Sequence, residues 1–224
     1  MPDTAPQPAP PAGGKSRERL REEWIALSDM TADEFDALQA SYKARAEGMP
    51  PEGSEAPDFS VEVMDQNQKR TGASQRLSDF RGKPVGLIFG SYPCPPFRNV
   101  AVRLNDSFAK YKDDIEFMCI YISEAHPDDG WRVQANLDEK IIYKQPTTDD
   151  ERTEVAAVCQ IAMDLKMPYY VDGIDNDVEE KYKSLPMRLY LIGADGKVAF
   201  TGDRGPFGFN MDTWVEAIEE QLAG

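Results

Sequence analysis

The apolar residues at the start of the chain recur at helical spacing. Between residues 16 and 47, large apolar side chains form two stripes with steps of three or four positions: Leu20, Trp24 and Leu27, then Phe35, Leu38 and Tyr42. Thr31 followed by Glu34 is a capping-box signature, so the second helix is expected to begin near Ala32. The pattern therefore predicts a pair of helices ahead of the main domain.

Beyond residue 58, short apolar runs that are typical of strands alternate with helical patterns. Strands are predicted at FSVEVM, PVGLIFG and IEFMCIYI, with a turn at DQNQKRTG and a hairpin in RLYLIGADGKVAFTG that turns at Asp195 and Gly196. Helices are predicted over about 95–111, over roughly 149–166 and at MDTWVEAIEEQL. This order predicts an α/β fold with a central mixed sheet flanked by helices, as in a thioredoxin-like domain.

Composition divides the chain into three parts. Residues 1–14 contain five prolines and two glycines, a composition that cannot bury enough surface to become ordered, and they are expected to form a disordered tail. Residues 15–48 form the N-terminal helical extension. The Pro- and Gly-rich segment GMPPEGSEAPDF marks the boundary to the thioredoxin-like domain, residues 49–224.

The charge of the chain narrows the range of partners. Of its 224 residues, 25 are Lys or Arg and 40 are Asp or Glu, so the formal net charge of −15 argues against binding to nucleic acid or to an anionic membrane surface. No long apolar run and no secretory signal pattern is present, which predicts a soluble, cytoplasmic protein. Three scattered cysteines do not suggest a disulfide framework.

Cys94 is the main candidate for chemistry. It follows an apolar strand and precedes a helix that opens with two prolines, so the positive end of the helix dipole is expected to favour the thiolate and lower the pKa of the thiol. The alternative is a buried structural cysteine. Cys119, in a strand, and Cys159, on a helical face, are expected to belong to the core. Phe97 stands where a Cys-x-x-Cys pair would place its second thiol.

Three segments, in this order, resemble one family: FGSYPCPPF, IYISEAHPDDGW and RLYLIGADGKVAFTGDRGPFGF. They are similar to the iodothyronine deiodinases, whose catalytic domain is thioredoxin-like with peroxiredoxin-related insertions. The resemblance covers about residues 75–222 and does not include the first 50 or so residues. It implies that Cys94 occupies the position of the catalytic chalcogen and that Phe97 is part of the family pattern, close to the substrate.

The resemblance implies roles for further residues. Ser91 matches the serine of the first motif, while Tyr121, Glu124 and His126 match residues implicated in substrate handling and proton supply. Arg204 matches an arginine tied to substrate binding.

The match departs from the family at several positions. Tyr92 replaces an auxiliary cysteine, Met187 replaces a glutamate, and His126 is the only histidine.

His126 also supports two interpretations on residue chemistry alone. A histidine in a loop close to Glu124 can be a general acid or a proton relay, because a neighbouring carboxylate would raise its near-neutral pKa. It can equally be a loop residue that hydrogen-bonds the backbone. The resemblance favours the functional interpretation.

Arg188 and Ser91 allow a second comparison. Peroxiredoxins place a Thr or Ser three residues before their reactive cysteine and an Arg before a late strand, where the two side chains bind peroxide. Ser91 and Arg188 stand at such positions, although Leu87 replaces the expected proline. Arg188 is therefore a candidate for binding substrate or for a purely structural role.

These observations predict a thiol-dependent oxidoreductase that uses Cys94 as the nucleophile in reductive dehalogenation of iodinated aromatic compounds. The alternatives are a peroxiredoxin-like thiol peroxidase and a redox-sensing module without turnover. No bound cofactor and no metal site is expected, because one histidine and three scattered cysteines give no ligand spacing. The expected partners are an iodinated aromatic or peroxide substrate and an external thiol reductant such as thioredoxin or glutathione, and a homodimer is plausible.

The acidic segments DDG, GDRG and GIDNDVEE match no calcium or phosphate motif, and they are expected to be solvated turns.

Overall fold

The computed structural model describes residues 16–45, 47–65, 67–205 and 209–223. The tail expected at residues 1–14 lies outside these ranges. The helices are α1 Arg17–Leu27, α2 Ala32–Arg45, α3 Pro95–Asn99, α4 Ala101–Tyr111, α5 Gln134–Asp138, α6 Asp149–Ala162, α7 Asp177–Tyr182 and α8 Met211–Ala223. The strands are β1 Ser60–Met64, β2 Arg70–Arg76, β3 Val85–Gly90, β4 Glu116–Tyr121, β5 Tyr169–Val171, β6 Arg188–Ile192 and β7 Val198–Thr201. A 3₁₀ turn, Leu77–Phe80, precedes β3.

The strands form one seven-stranded mixed sheet in the order β2-β1-β5-β4-β3-β6-β7. The central strands β3, β4 and β5 are parallel to one another, and the strands on both sides of them are antiparallel to their neighbours. The predicted α/β arrangement with a central mixed sheet is confirmed. Because β3 and β4 are parallel neighbours, the segments that follow them begin at the same edge of the sheet.

Two glycines of β3 let large rings pack directly on the strand. A Cβ at Gly86 would lie 2.9 Å from Cζ2 of Trp214, and a Cβ at Gly90 would lie 2.4 Å from Cδ2 of Phe97. Both rings are fully buried. The absence of side chains at these glycines therefore sets how closely α3 and α8 approach the sheet.

Several predicted elements are confirmed. The second helix begins at Ala32, and its capping box forms: Glu34 Oε2 accepts from the Thr31 backbone N–H at 2.8 Å, and Thr31 Oγ1 accepts from the Glu34 N–H at 3.3 Å. The hairpin of β6 and β7 turns at the predicted residues, where Gly196 adopts a φ of +84°.

Other predictions were wrong in their bounds. The helix expected over 95–111 is two helices, interrupted at Val100, which has φ −100° and ψ 1°. The helix expected over 149–166 ends at Ala162. Strand β2 was missed because its exposed sequence RTGASQR has no apolar alternation. The short elements β5, α5 and α7 were missed for lack of length.

Candidate active site

The predicted site residues meet at the carboxyl edge of the parallel strands. Cys94 follows β3 after a short turn in which its N–H donates to the Ser91 carbonyl at 3.1 Å. Glu124 and His126 follow β4. The Ala125 N–H donates to the Ser91 hydroxyl oxygen at 3.0 Å and joins the two segments. The fold thus brings residues from two distant parts of the chain to one place.

Cys94 lies at the N-terminus of α3 but is completely buried. Burial raises the pKa of its thiol to about 12, and the Glu124 charge adds to this, whereas the Phe97 N–H and the Arg98 guanidinium oppose it. The prediction of a lowered pKa was therefore wrong for this conformation. The helix N-terminus is present, but desolvation outweighs it.

Phe97 is a core residue, not an open wall of the site. Its ring is fully buried and packs against Gly90 of β3. In this conformation Phe97 is closed off from any ligand, and its contact with substrate stays a prediction. Where a Cys-x-x-Cys pair would have its second cysteine, this chain has a phenylalanine ring that packs α3 against the sheet.

Tyr121, the last residue of β4, connects the two segments through its hydroxyl. This group accepts from the Tyr92 N–H at 3.1 Å and donates to Glu124 Oε1 at 2.7 Å. Gln145 accepts from the Glu124 N–H at 3.2 Å. The carboxyl of Glu124 is therefore held in one place beside the Cys94 turn.

Glu124 is only 2% exposed. Burial raises its pKa to about 8, against the lowering effects of the Tyr121 hydrogen bond, the Arg152 charge and the Ser91 hydroxyl. The carboxyl is thus mainly protonated at neutral pH. A buried, protonated carboxylic acid can donate a proton to a reacting group.

His126 differs from the expectation in its charge. Burial lowers its pKa to about 4, so the ring is neutral at pH 7. Its Nδ1 lies 3.2 Å from the Trp131 carbonyl oxygen, and its ring meets the Trp131 ring edge to face at 4.5 Å. Among the described residues, no carboxylate raises the pKa of His126, and the Glu124 side chain is directed to Tyr121.

The two candidate arginines bind backbone carbonyls. Arg188 is buried, and it donates from Nε to the Lys183 carbonyl at 3.1 Å and from Nη1 to the Gly202 carbonyl at 2.8 Å. These contacts fit the structural alternative for Arg188, and its binding of substrate stays a prediction. Arg204 donates to the Tyr42 carbonyl at 3.1 Å and lies over the Tyr42 ring, so it contacts α2.

Arg98 is a site residue that the sequence analysis missed. It donates from Nη1 to the Tyr92 carbonyl at 2.7 Å, and its charge lowers the pKa of both Cys94 and His126. Its position one helical turn after Cys94 is a signal that could have identified it.

The segment GIDNDVEE was expected to be a solvated turn, and this expectation was wrong. Asp172, just before it, and Glu179 within it are both buried. Asp172 accepts from the Val178 and Glu179 N–H groups at 3.2 and 2.9 Å, and Glu179 accepts from the Ser123 N–H at 3.0 Å. These bonds hold α7 against the end of β4.

Cys119 and Cys159 belong to the core, as expected, and all three cysteines are free thiols. Cys159 lies with Sγ 3.3 Å from Sδ of Met163. Burial raises the pKa of both thiols.

Within the described part of the chain, no group of three or more His, Cys, Asp or Glu residues could hold a metal ion. In the same ranges, no helix is long and apolar enough to span a membrane.

Comparisons with known proteins agree with this geometry. The model of the family "Iodothyronine deiodinase" matches residues 12–222, which extends the similarity into the N-terminal helices that the motifs did not cover. Thyroxine 5-deiodinase of Homo sapiens is 33% identical over 178 residues, covering 77% of this chain and 55% of that protein. Thyroxine 5-deiodinase of Gallus gallus is 35% identical over 180 residues, covering 76% and 64%. The chain thus spans little more than half the length of these relatives.

The fold has known counterparts as well. The thioredoxin domain of a thiol-disulfide oxidoreductase from Bacteroides vulgatus superposes with a TM-score of 0.52 at 18% identity, covering 77% of this chain and 98% of that domain. This likeness shows a thioredoxin-like fold.

Proposed function

The chain belongs to the iodothyronine deiodinase family, and from this premise we propose that it is a thiol-dependent oxidoreductase that removes iodine from iodinated aromatic compounds. One observation carries the proposal. The turn that holds Cys94 is bonded, through the Tyr121 hydroxyl, to the protonated carboxyl of Glu124. This arrangement supports the pairing of a soft nucleophile with a proton donor at one edge of the sheet.

The reaction needs both groups. The Cys94 thiolate attacks the iodine of an aryl iodide, and the carbon–iodine bond breaks with its electron pair remaining on carbon. The carbon takes a proton, which yields the deiodinated ring and a sulfenyl iodide on Cys94. An external thiol then attacks the Cys94 sulfur, releases iodide and forms a mixed disulfide. A second external thiol restores the Cys94 thiol and leaves as the oxidised disulfide.

Glu124 is better suited than His126 to supply the proton. Its pKa of about 8 keeps it protonated at neutral pH, whereas His126, with a pKa of about 4, carries no extra proton to give. His126 serves as a neutral hydrogen-bonding residue of the loop that closes the site. The proton relay assigned to Glu124 and His126 together becomes a role for Glu124.

Cys94 must be deprotonated and uncovered before it reacts. Helix α3 has only five residues, begins with two prolines and is separated from α4 at Val100. Displacement of this short helix admits water to the sulfur, which removes the desolvation that raises the thiol pKa. The described conformation is then the protected form of the nucleophile.

The reductant is external in this scheme. Cys119 and Cys159 are buried core thiols with raised pKa values, so neither supplies a thiolate readily. A thiol such as glutathione or the dithiol of a thioredoxin meets the requirement.

The test is iodide release from iodothyronines and iodotyrosines with dithiothreitol as reductant. We expect the Cys94→Ser variant to release no more iodide than buffer alone, and the Cys119→Ala variant, matched for loss of a buried thiol, to retain activity. Undiminished release by Cys94→Ser would refute the proposal. Consumption of hydrogen peroxide without iodide release would also refute it and would indicate a thiol peroxidase.

A further inference from the structure

The N-terminal helices are packed tightly against the loop that carries His126. The Trp131 ring, which contacts the His126 ring, is also met by Trp24 of α1 at 5.0 Å and by Phe35 of α2 at 5.7 Å. The following backbone N–H, of Arg132, donates to the Ser28 hydroxyl between the two helices at 2.9 Å. Helices α1 and α2 are therefore built onto the active-site edge of the domain.

The last turn of α2 is held close to the end of β4. Arg45 pairs with the buried carboxylate of Glu179 and, at 3.0 Å, with Glu180. Glu179 in turn accepts from the Ser123 N–H, one residue before Glu124. Arg204 adds a hydrogen bond to the Tyr42 carbonyl of the same turn. The Arg45 ion pairs and the Arg204 hydrogen bond thus fix the position of α2 relative to Glu124.

A cavity of about 590 Å³ remains between α2 and the domain. Helix α2 contributes Leu38, Ser41, Tyr42 and Arg45 to its wall, and the domain contributes Glu124, Trp131 and Arg152 among others. The volume lies within the range of small-molecule sites, roughly 300–1,000 Å³. Glu124 belongs to the wall and Cys94 does not, so the cavity lies beside the residue proposed as the acid.

Two residues of the wall carry a buried donor without a partner. Nε of Arg152 and Nε1 of Trp131 form no hydrogen bond with the described residues. The other nitrogens of Arg152 donate to the carbonyls of Asp172 and Gly173 and to Asn176 Oδ1. Arg152 is only 1% exposed, and its charge lowers the pKa of the nearby Glu124 and Asp172 carboxyls. Within the described ranges, however, no carboxylate forms a direct ion pair with it. A ligand that enters here therefore gains by bringing an acceptor with negative charge to the guanidinium.

We propose that α2 determines the specificity of the active site: with Trp131 and Arg152 it encloses a cavity that binds the anionic group of an aromatic ligand. The rings of Tyr42 and Trp131 and the Leu38 side chain provide the apolar contact, and Arg152 provides the charge. The inference rests on the proposed function for the identity of the site. It assigns recognition of the anion to Arg152 and not to Arg204, which is bonded to α2.

Equilibrium binding tests this apart from catalysis. The probes are 3-iodobenzoate and the uncharged 3-iodobenzamide, titrated by calorimetry into the full-length Cys94→Ser protein. Ser41→Trp places a bulky side chain at the cavity wall, and Ala40→Trp places the same side chain on the exposed neighbouring position of α2. We expect Ser41→Trp to weaken 3-iodobenzoate binding by about tenfold or more and Ala40→Trp to change it less than about twofold.

The variant Arg152→Gln tests whether the Arg152 charge recognises the anionic group of the ligand. We expect this change to remove the preference for benzoate over benzamide, whereas Lys43→Gln, an exposed charge on α2, leaves the preference intact. Equal binding of both probes by the parent protein would overturn the assignment of an anionic ligand. Equal effects of Ser41→Trp and Ala40→Trp would overturn the role of α2, even if Arg152→Gln failed to fold. Binding as expected without iodide release by the wild-type protein would refute the proposed function and leave the cavity assignment standing.

Discussion

The two sides of the proposed active site differ in how they are built. On the thiol side, Cys94 and Phe97 are completely buried and rest on the central strand β3. On the facing side, Tyr42 and Trp131 are half-buried and border an open cavity. The proposed nucleophile stays covered until α3 is displaced, whereas residues that recognise a ligand need access from the start. The thiol side should therefore tolerate few substitutions, and the cavity side should set ligand preference.

The largest effect is expected at Glu124. Glu124→Gln retains an acceptor for the Tyr121 hydroxyl but cannot give up a proton, so we expect kcat for iodide release to fall by about a hundredfold or more with little change in KM. The matched control is Glu154→Gln, at an exposed position of α6. A variant with unchanged kcat would show that the proton comes from elsewhere.

The next effect concerns stability and compares the two sides directly. Phe97→Ala leaves a void beside Gly90, and we expect it to lower the free energy of unfolding by about 3–5 kcal/mol in urea titrations. Tyr42→Ala, at the cavity, should cost less than about half of that, because the ring is already half-exposed to the cavity. Equal losses would mean that the cavity side is as closely packed as the core.

The last effect is a pH dependence of stability. The pKa of Glu124 rises on folding from its ordinary value of 4.5 to about 8, so between these values the native state holds a proton that the unfolded state has lost. The contribution of Glu124 to stability therefore decreases as pH rises through this window. We expect Glu124→Gln to gain stability relative to wild type from pH 5 to about 8 in urea titrations. A constant difference would show that Glu124 is ionised in the native protein.

The sequence indicated the residues of the candidate site better than its electrostatics. The resemblance named Ser91, Cys94, Tyr121 and Glu124, and the structure brings them together because each follows or ends a strand of one parallel pair. The thiol pKa was misjudged because a dipole argument uses local sequence, whereas burial depends on distant packing. The same limit applies to the GIDNDVEE segment, whose Glu179 is buried only because α2 and the end of β4 converge on it.

The role of Cys94 as nucleophile is tested most directly by intact-mass spectrometry after a single turnover with an iodinated tyrosine and limiting glutathione. We expect one glutathione joined to Cys94 by a disulfide for each iodide released, with Cys119 and Cys159 unmodified. Iodide release while Cys94 remains a free thiol throughout would contradict this role.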